Sequence, residues 1–341
     1  MKILFIGGSG VISRAATEQT IAAGHELWLL NRGKRRPVDG AKSIVADMAD
    51  VAGTRAALRG HTWDVVVQWI AFAPADIRRD LELFRDATHQ YIFISSASVY
   101  QKPLANYLIT EATPRVNPHW EYARLKIACE QELETAHRES GFPGVIVRPS
   151  LTYGEDQVPL VLNAWGQSWT TIDRMRRGAP VIIPGDGNSL WTITHNTDFA
   201  QGLTGLFGNL ATHGQAFHIT SDEVLTWNQI FAQAAHAAGV SAPKFVHITS
   251  DFLISCVPAV EGTLLGDKAV SAVFDNAKIK RFVPSFEAKT RFADGIRRTV
   301  AWFDADPVRK QIDAATNQRW DKLAAAYESA LAQARTTFKN G

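Results

Sequence analysis

Short runs of hydrophobic residues alternate with helical patterns through the first half of the chain. Nearly continuous apolar and β-branched runs predict strands over 2–6, 26–30, 43–46, 64–69, 91–95 and 145–148. Between them, apolar residues at helical spacing predict helices over 12–23, 75–88 and 118–140. Because strands that are hydrophobic throughout are typical of sheets covered on both faces, this alternation predicts an α/β fold with a parallel sheet.

The pattern changes after Pro149. Residues 155–190 are rich in proline, glycine and tryptophan, and we predict that they form excursions over a binding face. One more strand is predicted over 217–220, followed by a C-terminal third with several helices. One of these helices carries an apolar stripe that we expect to pack against the body of the protein: Trp320, Leu323, Ala324, Tyr327 and Leu331.

Composition narrows the classes of protein to which the chain can belong. Its 341 residues, 46% hydrophobic and 21% charged, suit one large domain or two coupled ones. The 36 basic and 34 acidic residues give a net charge of +2, too balanced for a protein whose affinity comes mainly from neutralising phosphates, so nucleic acid is not the expected partner. No apolar run approaches the ~20 residues that span a bilayer, so we expect a cytoplasmic protein without a membrane partner.

The cysteines and histidines do not indicate a metal centre. Cys129 and Cys256 are too few for a disulfide framework, and no Cys-x-x-Cys or His-Glu-x-x-His spacing exists. His213 and His218 have no carboxylate or cysteine partner nearby in the sequence. We therefore expect no metal site.

A glycine-rich loop follows the first predicted strand and leads into the first predicted helix. It reads Gly7-Gly8-Ser9-Gly10-Val11-Ile12-Ser13, in the strand–turn–helix context that a dinucleotide-binding loop requires. Gly7 permits the tight turn, and Gly10 lets the backbone approach a pyrophosphate on the positive helix N-terminus, beside Val11 and Ile12. Ser13 replaces the third glycine of the pattern, but it is small enough for close packing of helix and sheet. The loop predicts a nucleotide-binding site.

The end of the second predicted strand indicates which dinucleotide is bound. A site for NAD normally places Asp or Glu there, to accept hydrogen bonds from the adenosine ribose. This chain has Asn31, and four of the five residues from Arg32 to Arg36 are basic, which suits a 2′-phosphate. NADP(H) is favoured, and NAD(H) or a solvated loop without a ligand are the alternatives. Asp47, after the third predicted strand, is either a partner of the adenine amino group or a helix N-cap.

Three side chains in the middle of the chain are suited to proton transfer. The strand predicted over 91–95 is followed by Ser96, at the edge where open α/β sheets bind ligands. Tyr122 and Lys126 are four residues apart in a predicted helix and therefore share one face. A nearby ammonium favours the phenolate and lowers the pKa of a tyrosine, and Ser96 can then hydrogen-bond the reacting oxygen. The alternative is a core tyrosine beside a surface lysine.

Taken together, these motifs resemble the extended short-chain dehydrogenases/reductases, the NAD-dependent epimerase/dehydratase family. The resemblance runs in family order over residues 1 to about 225 and continues more weakly through 227–239 and 295–306. The matching stretches are 7–13, 64–71, 95–100, Tyr122 with Lys126, 148–154, and 185–187 leading to 195–198.

The resemblance implies a Rossmann-type doubly wound parallel sheet with a smaller C-terminal α/β substrate domain. We expect the NAD(P)-binding domain to comprise 1–155, with the chain returning to it at about 190–222. The substrate domain would then comprise 156–189 and 223–341. Homodimers of this family form through two helices of each subunit, here those predicted over 75–88 and 118–140.

The resemblance also implies roles for individual residues. Ser96, Tyr122 and Lys126 would be the catalytic residues, and Lys126 would also hold the nicotinamide ribose. The cofactor contacts would extend to the ends of two further strands, at Ala71 and at Pro149 and Leu151.

Four positions depart from the sugar-nucleotide enzymes of the family. They are Ser13, the Asn31-Arg32 pair, Gln68-Trp69-Ile70-Ala71 in place of the usual His-Leu-Ala-Ala, and Trp191 in place of an arginine that commonly clamps the substrate diphosphate.

The change at Trp191 removes a bidentate phosphate ligand and adds a flat apolar face. Trp165 and Trp169 lie in the excursion that should border the same pocket, so these three tryptophans are candidate substrate contacts, with packing of the inter-domain core as the alternative for each. Nucleotide sugars become less favoured, although Arg174, Arg176 and Arg177 leave another phosphate clamp open.

Two functions follow from these residues. The first is an NAD(P)-dependent oxidoreductase or epimerase that transfers a hydride at a carbinol or carbonyl carbon of a small hydroxylated, sugar-like substrate. The second is a nucleic-acid-binding or regulatory protein with a vestigial dinucleotide site, because the departures resemble atypical family members that include chloroplast stem-loop RNA-binding proteins. The balanced charge and the complete Ser–Tyr–Lys set favour the first.

Overall fold

The strands and helices are taken from a computed structural model, which describes residues 1–34 and 36–339; Arg35, part of the predicted basic cluster, lies outside the described residues. The strands are β1 (Lys2–Ile6), β2 (Glu26–Asn31), β3 (Lys42–Val45), β4 (Val65–Gln68), β5 (Tyr91–Ile94), β6 (Leu108–Ile109), β7 (Gly144–Pro149), β8 (Leu151–Tyr153), β9 (Val181–Pro184), β10 (Leu190–Trp191), β11 (Ile193–His195), β12 (Ala216–Ile219), β13 (Leu225–Thr226), β14 (Phe245–Ile248) and β15 (Val273–Phe274). The helices are α1 (Val11–Ala22), α2 (Val51–Ala57), α3 (Pro74–Phe84), α4 (Glu121–Ser140), α5 (Trp169–Arg176), α6 (Asn196–Thr204), α7 (Trp227–Ala237), α8 (Ser250–Cys256), α9 (Glu261–Thr263), α10 (Ala277–Phe282), α11 (Phe292–Asp304) and α12 (Ala314–Lys339).

The central sheet of the described chain has seven strands in the order β12-β7-β5-β4-β1-β2-β3, and every neighbouring pair is parallel. Ile6, at the end of β1, pairs with Leu30 of β2 and with Gln68 of β4. The chain therefore changes direction across the sheet between β1 and β4, which is where open α/β sheets form their ligand-binding crevice. The predicted α/β class with a doubly wound parallel sheet is confirmed.

Side-chain alternation along the buried strands covers both faces of the sheet. In β1, Ile3 and Phe5 join one hydrophobic core, to which α1 and α6 contribute, whereas Leu4 and Ile6 join another, to which α3 and α4 contribute. All four side chains are fully buried. This two-sided burial is why the strands are hydrophobic throughout.

The long helix α4 begins later than predicted. The side-chain oxygen of Asn117 accepts hydrogen bonds from the backbone N–H groups of His119 and Trp120, both at 3.2 Å, so the chain turns before the helix starts at Glu121. The helix ends as predicted at Gly141, whose φ of +68° is left-handed and therefore favours glycine.

The second half of the chain forms another core beside the sheet. Short strand pairs β8–β11, β9–β14, β10–β13 and β6–β15 surround it. The strand predicted over 217–220 is β12, which pairs with β7 and so brings the chain back to the central sheet. The apolar stripe of α12 packs only in part, because Trp320 and Leu323 are buried whereas Leu331 and the other residues of 328–339 are exposed.

Candidate active site

An open cavity of about 930 Å³ lies at the carboxyl ends of the central strands. Its lining comes from the loop after β1, the start of α1, the ends of β2, β5 and β7, and one face of α4. Most of the residues predicted for cofactor binding and catalysis line this cavity: Gly7, Gly10, Val11, Ile12, Asn31, Arg32, Asp47, Ser96, Tyr122, Lys126, Pro149 and Leu151.

The glycine loop is shaped for close approach of a ligand to the backbone. Gly7 and Gly8 have φ values of +101° and +94°, in the region that favours glycine, and a Cβ on Gly7 would lie 3.1 Å from Ile70 Cγ2. Gly10 is the N-cap of α1, and the Ser13 hydroxyl accepts a hydrogen bond from its N–H at 2.8 Å. The first turn of α1 holds no acidic residue, so its positive end faces the cavity uncompensated. These features fit the pyrophosphate of a dinucleotide.

The far end of the cavity lies at the end of β2. Asn31, Arg32 and Lys34 line it, and the Asn31 side-chain oxygen accepts a hydrogen bond from the Gly33 N–H at 2.8 Å. No carboxylate stands at this strand end.

Asp47 lies across the same end of the cavity, and its carboxylate accepts a hydrogen bond from the Ala49 N–H at 3.0 Å. It is not a helix N-cap, because the cap of α2 is Asp50, which accepts from the Gly53 N–H. The sequence pattern does not predict α2.

Ser96 and Tyr122 come together inside the cavity. Ser96 caps a 3₁₀ turn, Ala97–Val99, and its Oγ lies 2.9 Å from Ser98 Oγ. Burial raises the pKa of Tyr122, a hydrogen bond with the Ser96 side chain lowers it, and the charge of Asp267 raises it. Because the pKa is raised overall, the phenol is protonated at neutral pH.

Lys126 lies beneath this pair in a buried position. Its ammonium donates hydrogen bonds to the carbonyl oxygens of Ala71 at 2.8 Å and Ile94 at 2.9 Å. The Nζ atom is 5.8 Å from the centre of the Tyr122 ring. Burial lowers the pKa of Lys126 to about 8, so an ammonium is the main form at neutral pH. Ala71 itself is fully buried and does not line the cavity, and its carbonyl oxygen is the one that accepts from Lys126.

The three candidate tryptophans have different surroundings. Trp165 is 42% exposed and lines the cavity. Trp169 does not, because it packs in the hydrophobic core with its ring centre 5.1 Å from that of Phe303. Trp191 is also buried outside the lining, stacked on Trp227 with ring centres 5.4 Å apart. Trp169 and Trp191 therefore pack in the hydrophobic core and do not line the cavity.

Further lining residues were not indicated by the sequence. Trp120 lies against Tyr122, with ring centres 4.9 Å apart. Asp267 and Lys268 end a π-helical turn, Leu264–Lys268, and form an ion pair of 2.6 Å. Nothing in their local sequence marks them, because only the packing of distant segments brings them to the cavity.

A buried ion pair lies behind the site. Arg148, at the end of β7, donates two hydrogen bonds to the Glu130 carboxylate in α4, of 2.9 and 2.7 Å. Arg115 donates a third at 2.8 Å, and a further bond of 3.2 Å joins Arg148 to the Tyr100 hydroxyl. The Arg148 guanidinium lowers the pKa of Glu130 although burial opposes this. The network ties β7 to α4 one helical turn beyond Lys126.

Two other classes of site are absent from the described residues. Within 1–34 and 36–339, no group of three or more His, Cys, Asp or Glu side chains is placed to hold a metal ion. In the same ranges, no helix is both long enough and apolar enough to cross a membrane.

A cavity at the carboxyl ends of a doubly wound sheet, with a glycine loop at a helix N-terminus, is typical of nucleotide-binding α/β proteins. The sequence profile of the NAD dependent epimerase/dehydratase family matches residues 3–219, and the chain belongs to this family. It is accordingly an NAD-dependent enzyme whose cofactor is a nicotinamide dinucleotide and whose substrate is a small molecule, and the resemblance deduced from the sequence is confirmed.

Three proteins are similar to this chain in sequence or in fold. The chain is 24% identical to the chloroplast stem-loop binding protein of 41 kDa b of Arabidopsis thaliana, over 72% of this chain and 65% of that protein. It is 22% identical to the 2′-dehydrokanamycin reductase of Streptomyces kanamyceticus, over 85% of this chain and 81% of that protein. Its fold matches dTDP-glucose 4,6-dehydratase of Bacillus anthracis in complex with NAD, with a TM-score of 0.72 and 16% identity over 91% of this chain and 98% of the other.

Proposed function

We propose that this enzyme transfers a hydride between a nicotinamide dinucleotide and a carbinol or carbonyl carbon of a small hydroxylated, sugar-like substrate, through a Ser–Tyr–Lys centre. The observation that carries the proposal is the meeting of Ser96, Tyr122 and Lys126 in one cavity with the glycine loop. These residues come from the end of β5 and one face of α4.

The bound dinucleotide supplies the hydride acceptor or donor. The Tyr122 hydroxyl moves the proton of the substrate oxygen, and the Ser96 hydroxyl holds that oxygen in place. The Lys126 ammonium, fixed by two carbonyl oxygens, favours the phenolate of Tyr122 electrostatically. Pro149 and Leu151 support the nicotinamide end of the cavity.

The preferred cofactor in this proposal is NADP(H), with NAD(H) as the alternative. Two basic residues, Arg32 and Lys34, line the cavity at the end of β2. No Asp or Glu, whose carboxylate would repel a 2′-phosphate, stands at this strand end. Val11 and Ile12, in the first turn of α1, line the pyrophosphate segment.

The proposed assembly is a homodimer in the cytoplasm. α3 and α4 pack together on one face of the sheet, and an ion pair between Arg78 and Glu132 links their exposed sides. These are the two helices that, by the family resemblance, would form the subunit interface. In the proposed domain division, residues 1–155 together with about 190–222 form the dinucleotide-binding domain.

The central test is the substitution Tyr122→Phe, with Tyr107→Phe as a matched control because Tyr107 is 62% exposed and outside the cavity lining. We expect turnover in a dehydrogenase screen of sugars to fall by at least about 100-fold in Tyr122→Phe, since the proton donor is lost. Dinucleotide affinity should stay within about twofold of wild type. Undiminished turnover would overturn the assignment.

A second candidate function is nucleic-acid binding with a vestigial dinucleotide site. It is favoured by the similarity to the stem-loop binding protein of Arabidopsis thaliana. A gel-shift titration of RNA at increasing salt, beside a fluorescence titration of NADP⁺, separates the two functions. Tight RNA binding that weakens steeply with salt, without dinucleotide binding, would favour the second candidate.

A further inference from the structure

Two side chains of opposite charge lie next to each other in the wall of the active-site cavity. Asp267 and Lys268 both line it, and the Lys268 ammonium donates a hydrogen bond to Asp267 Oδ2 at 2.6 Å. Within 1–34 and 36–339, neither side chain has another hydrogen-bond partner. An ammonium has several N–H donors and a carboxylate several acceptor positions, so the pair keeps donors and acceptors for a ligand.

The backbone that carries this pair is fixed by neighbouring segments. Asn117 Nδ2 donates to the Gly266 carbonyl oxygen at 2.7 Å, and the Trp227 indole N–H donates to the Lys268 carbonyl oxygen at 3.1 Å. A Cβ on Gly266 would lie 2.8 Å from Trp120 Cβ, so this turn packs closely on the residues just before α4. The pair is therefore preorganised relative to the helix that carries the proposed proton donor.

Aromatic rings connect the pair to the proton donor. The Lys268 Nζ atom lies 6.0 Å from the ring centre of Trp120 and 5.9 Å from that of Trp165. The ring centres of Trp120 and Tyr122 are 4.9 Å apart. Trp165 lines the cavity and is 42% exposed, so part of its ring is open to a ligand. A flat apolar surface beside a few polar groups suits a ring that is apolar on its faces and hydroxylated at its rim.

The opposite charges of the pair favour an uncharged ligand. A carboxylate or phosphate on the ligand would be attracted by Lys268 but repelled by Asp267, and an ammonium would meet the reverse. A hydroxyl group both donates and accepts. Two neighbouring hydroxyls can therefore donate to the carboxylate and accept from the ammonium without bringing a further charge into a partly buried site.

We propose that Asp267 and Lys268 bind two adjacent hydroxyl groups of an uncharged sugar or cyclitol ring, which lies on Trp165. This inference rests on the proposed function, because it places the ring in the same cavity as Tyr122. It narrows the substrate class to neutral polyols, and it disfavours sugar acids, sugar phosphates and amino sugars at this position.

The first experiment measures binding without turnover, by isothermal titration calorimetry. The protein is saturated with NADP⁺, or with NAD⁺ where that binds more tightly. Glucose, galactose and mannose are each compared with their own uronic acid and 2-amino derivative. In at least one set we expect the neutral sugar to bind about tenfold more tightly than both charged members. A charged member that binds most tightly in every set would overturn the proposal, as would no neutral sugar binding at about 0.1 M.

The second experiment reverses the preference by removing one charge at a time. Asp267→Asn leaves the ammonium and should shift the affinity ratio about tenfold towards the uronic acid, whereas Lys268→Met should shift it about tenfold towards the amino sugar. A damaged cavity would weaken all three ligands together, so it cannot produce opposite shifts. Unchanged ratios, or shifts of the same sign, would contradict the subsite. Glu287→Gln and Lys289→Met are the controls, because these residues form an exposed ion pair of 3.3 Å outside the cavity.

The third experiment tests the stacking surface. Trp165→Leu keeps an apolar side chain but removes the flat ring, and it should weaken all members of a set about fivefold with their ratios unchanged. Undiminished affinity would contradict the placement of the ring on Trp165. None of these measurements needs turnover. An active Tyr122→Phe variant would therefore overturn the proposed function and leave the binding results intact, whereas unchanged charge preferences would overturn the subsite alone.

Discussion

Replacing Lys126 by methionine tests whether the buried ammonium serves the proposed reaction at a cost to the stability of the protein. Lys126 is 2% exposed, and burial lowers its pKa from the ordinary value of 10.5 to about 8. The substitution keeps an unbranched side chain, one atom shorter, and removes the charge. We expect turnover to be lost, because the phenolate of Tyr122 loses its nearby cation.

The effect on stability follows from the same pKa. A lowering from 10.5 to about 8 corresponds to about 3.4 kcal/mol of destabilisation when both states are protonated, at 1.36 kcal/mol per pKa unit. Methionine relieves this cost but leaves the carbonyl oxygens of Ala71 and Ile94 without their donor, at about 1–3 kcal/mol each. At pH 7 the two effects largely offset each other.

The diagnostic measurement is therefore the pH dependence of the difference in unfolding free energy. Between pH 8 and 10.5 the unfolded chain binds more protons at Lys126 than the folded chain, so wild type gains stability as pH rises and the variant does not. We expect the difference between them to shift by about 2.5 kcal/mol in favour of wild type from pH 7 to pH 10, measured by urea unfolding. Lys289→Met, at an exposed site, should show no such shift. A difference that stays constant with pH would refute the reasoning.

Two further substitutions test other parts of the site. Glu130→Gln leaves the buried Arg148 guanidinium without its counter-charge and should lower the unfolding free energy by about 3–5 kcal/mol, measured by urea unfolding; an unchanged midpoint would contradict a structural ion pair. Arg32→Ala should weaken NADP⁺ binding about tenfold and NAD⁺ binding less than twofold in a fluorescence titration, whereas equal losses for both cofactors would contradict a role with the 2′-phosphate.

Much of the sheet and of the candidate centre could be predicted because the signals are local. The glycine loop, Ser96 and the Tyr122/Lys126 pair each lie at the end of a hydrophobic run or on one helix face, and parallel strands bring such ends together. Trp169 and Trp191 could not be assigned in this way, because a tryptophan in a core and a tryptophan in a pocket have the same local pattern. The ends of the helices depended on particular side chains as well, as Asn117 shows at the start of α4.

The groups contributed by long-range packing escaped prediction. Asp267 and Lys268 reach the cavity only through the folding of the second half of the chain, and no periodicity marks them. The ion pair between Glu130 and Arg148 joins a helix to a strand across a loop. The sequence shows that a charged residue lies inside a hydrophobic run, but it does not show which residue pairs with it.

The late strand β12 has a consequence for how the protein can be produced and divided. β7 is buried along all six residues, and β12, which closes its outer edge, begins only at Ala216. During synthesis, the nascent chain exposes an unpaired hydrophobic edge until this segment leaves the ribosome, and such edges recruit other strands. A fragment cut at residue 155 would keep that edge permanently and should aggregate. The nucleotide-binding half is thus a structural unit only when the later segment is present.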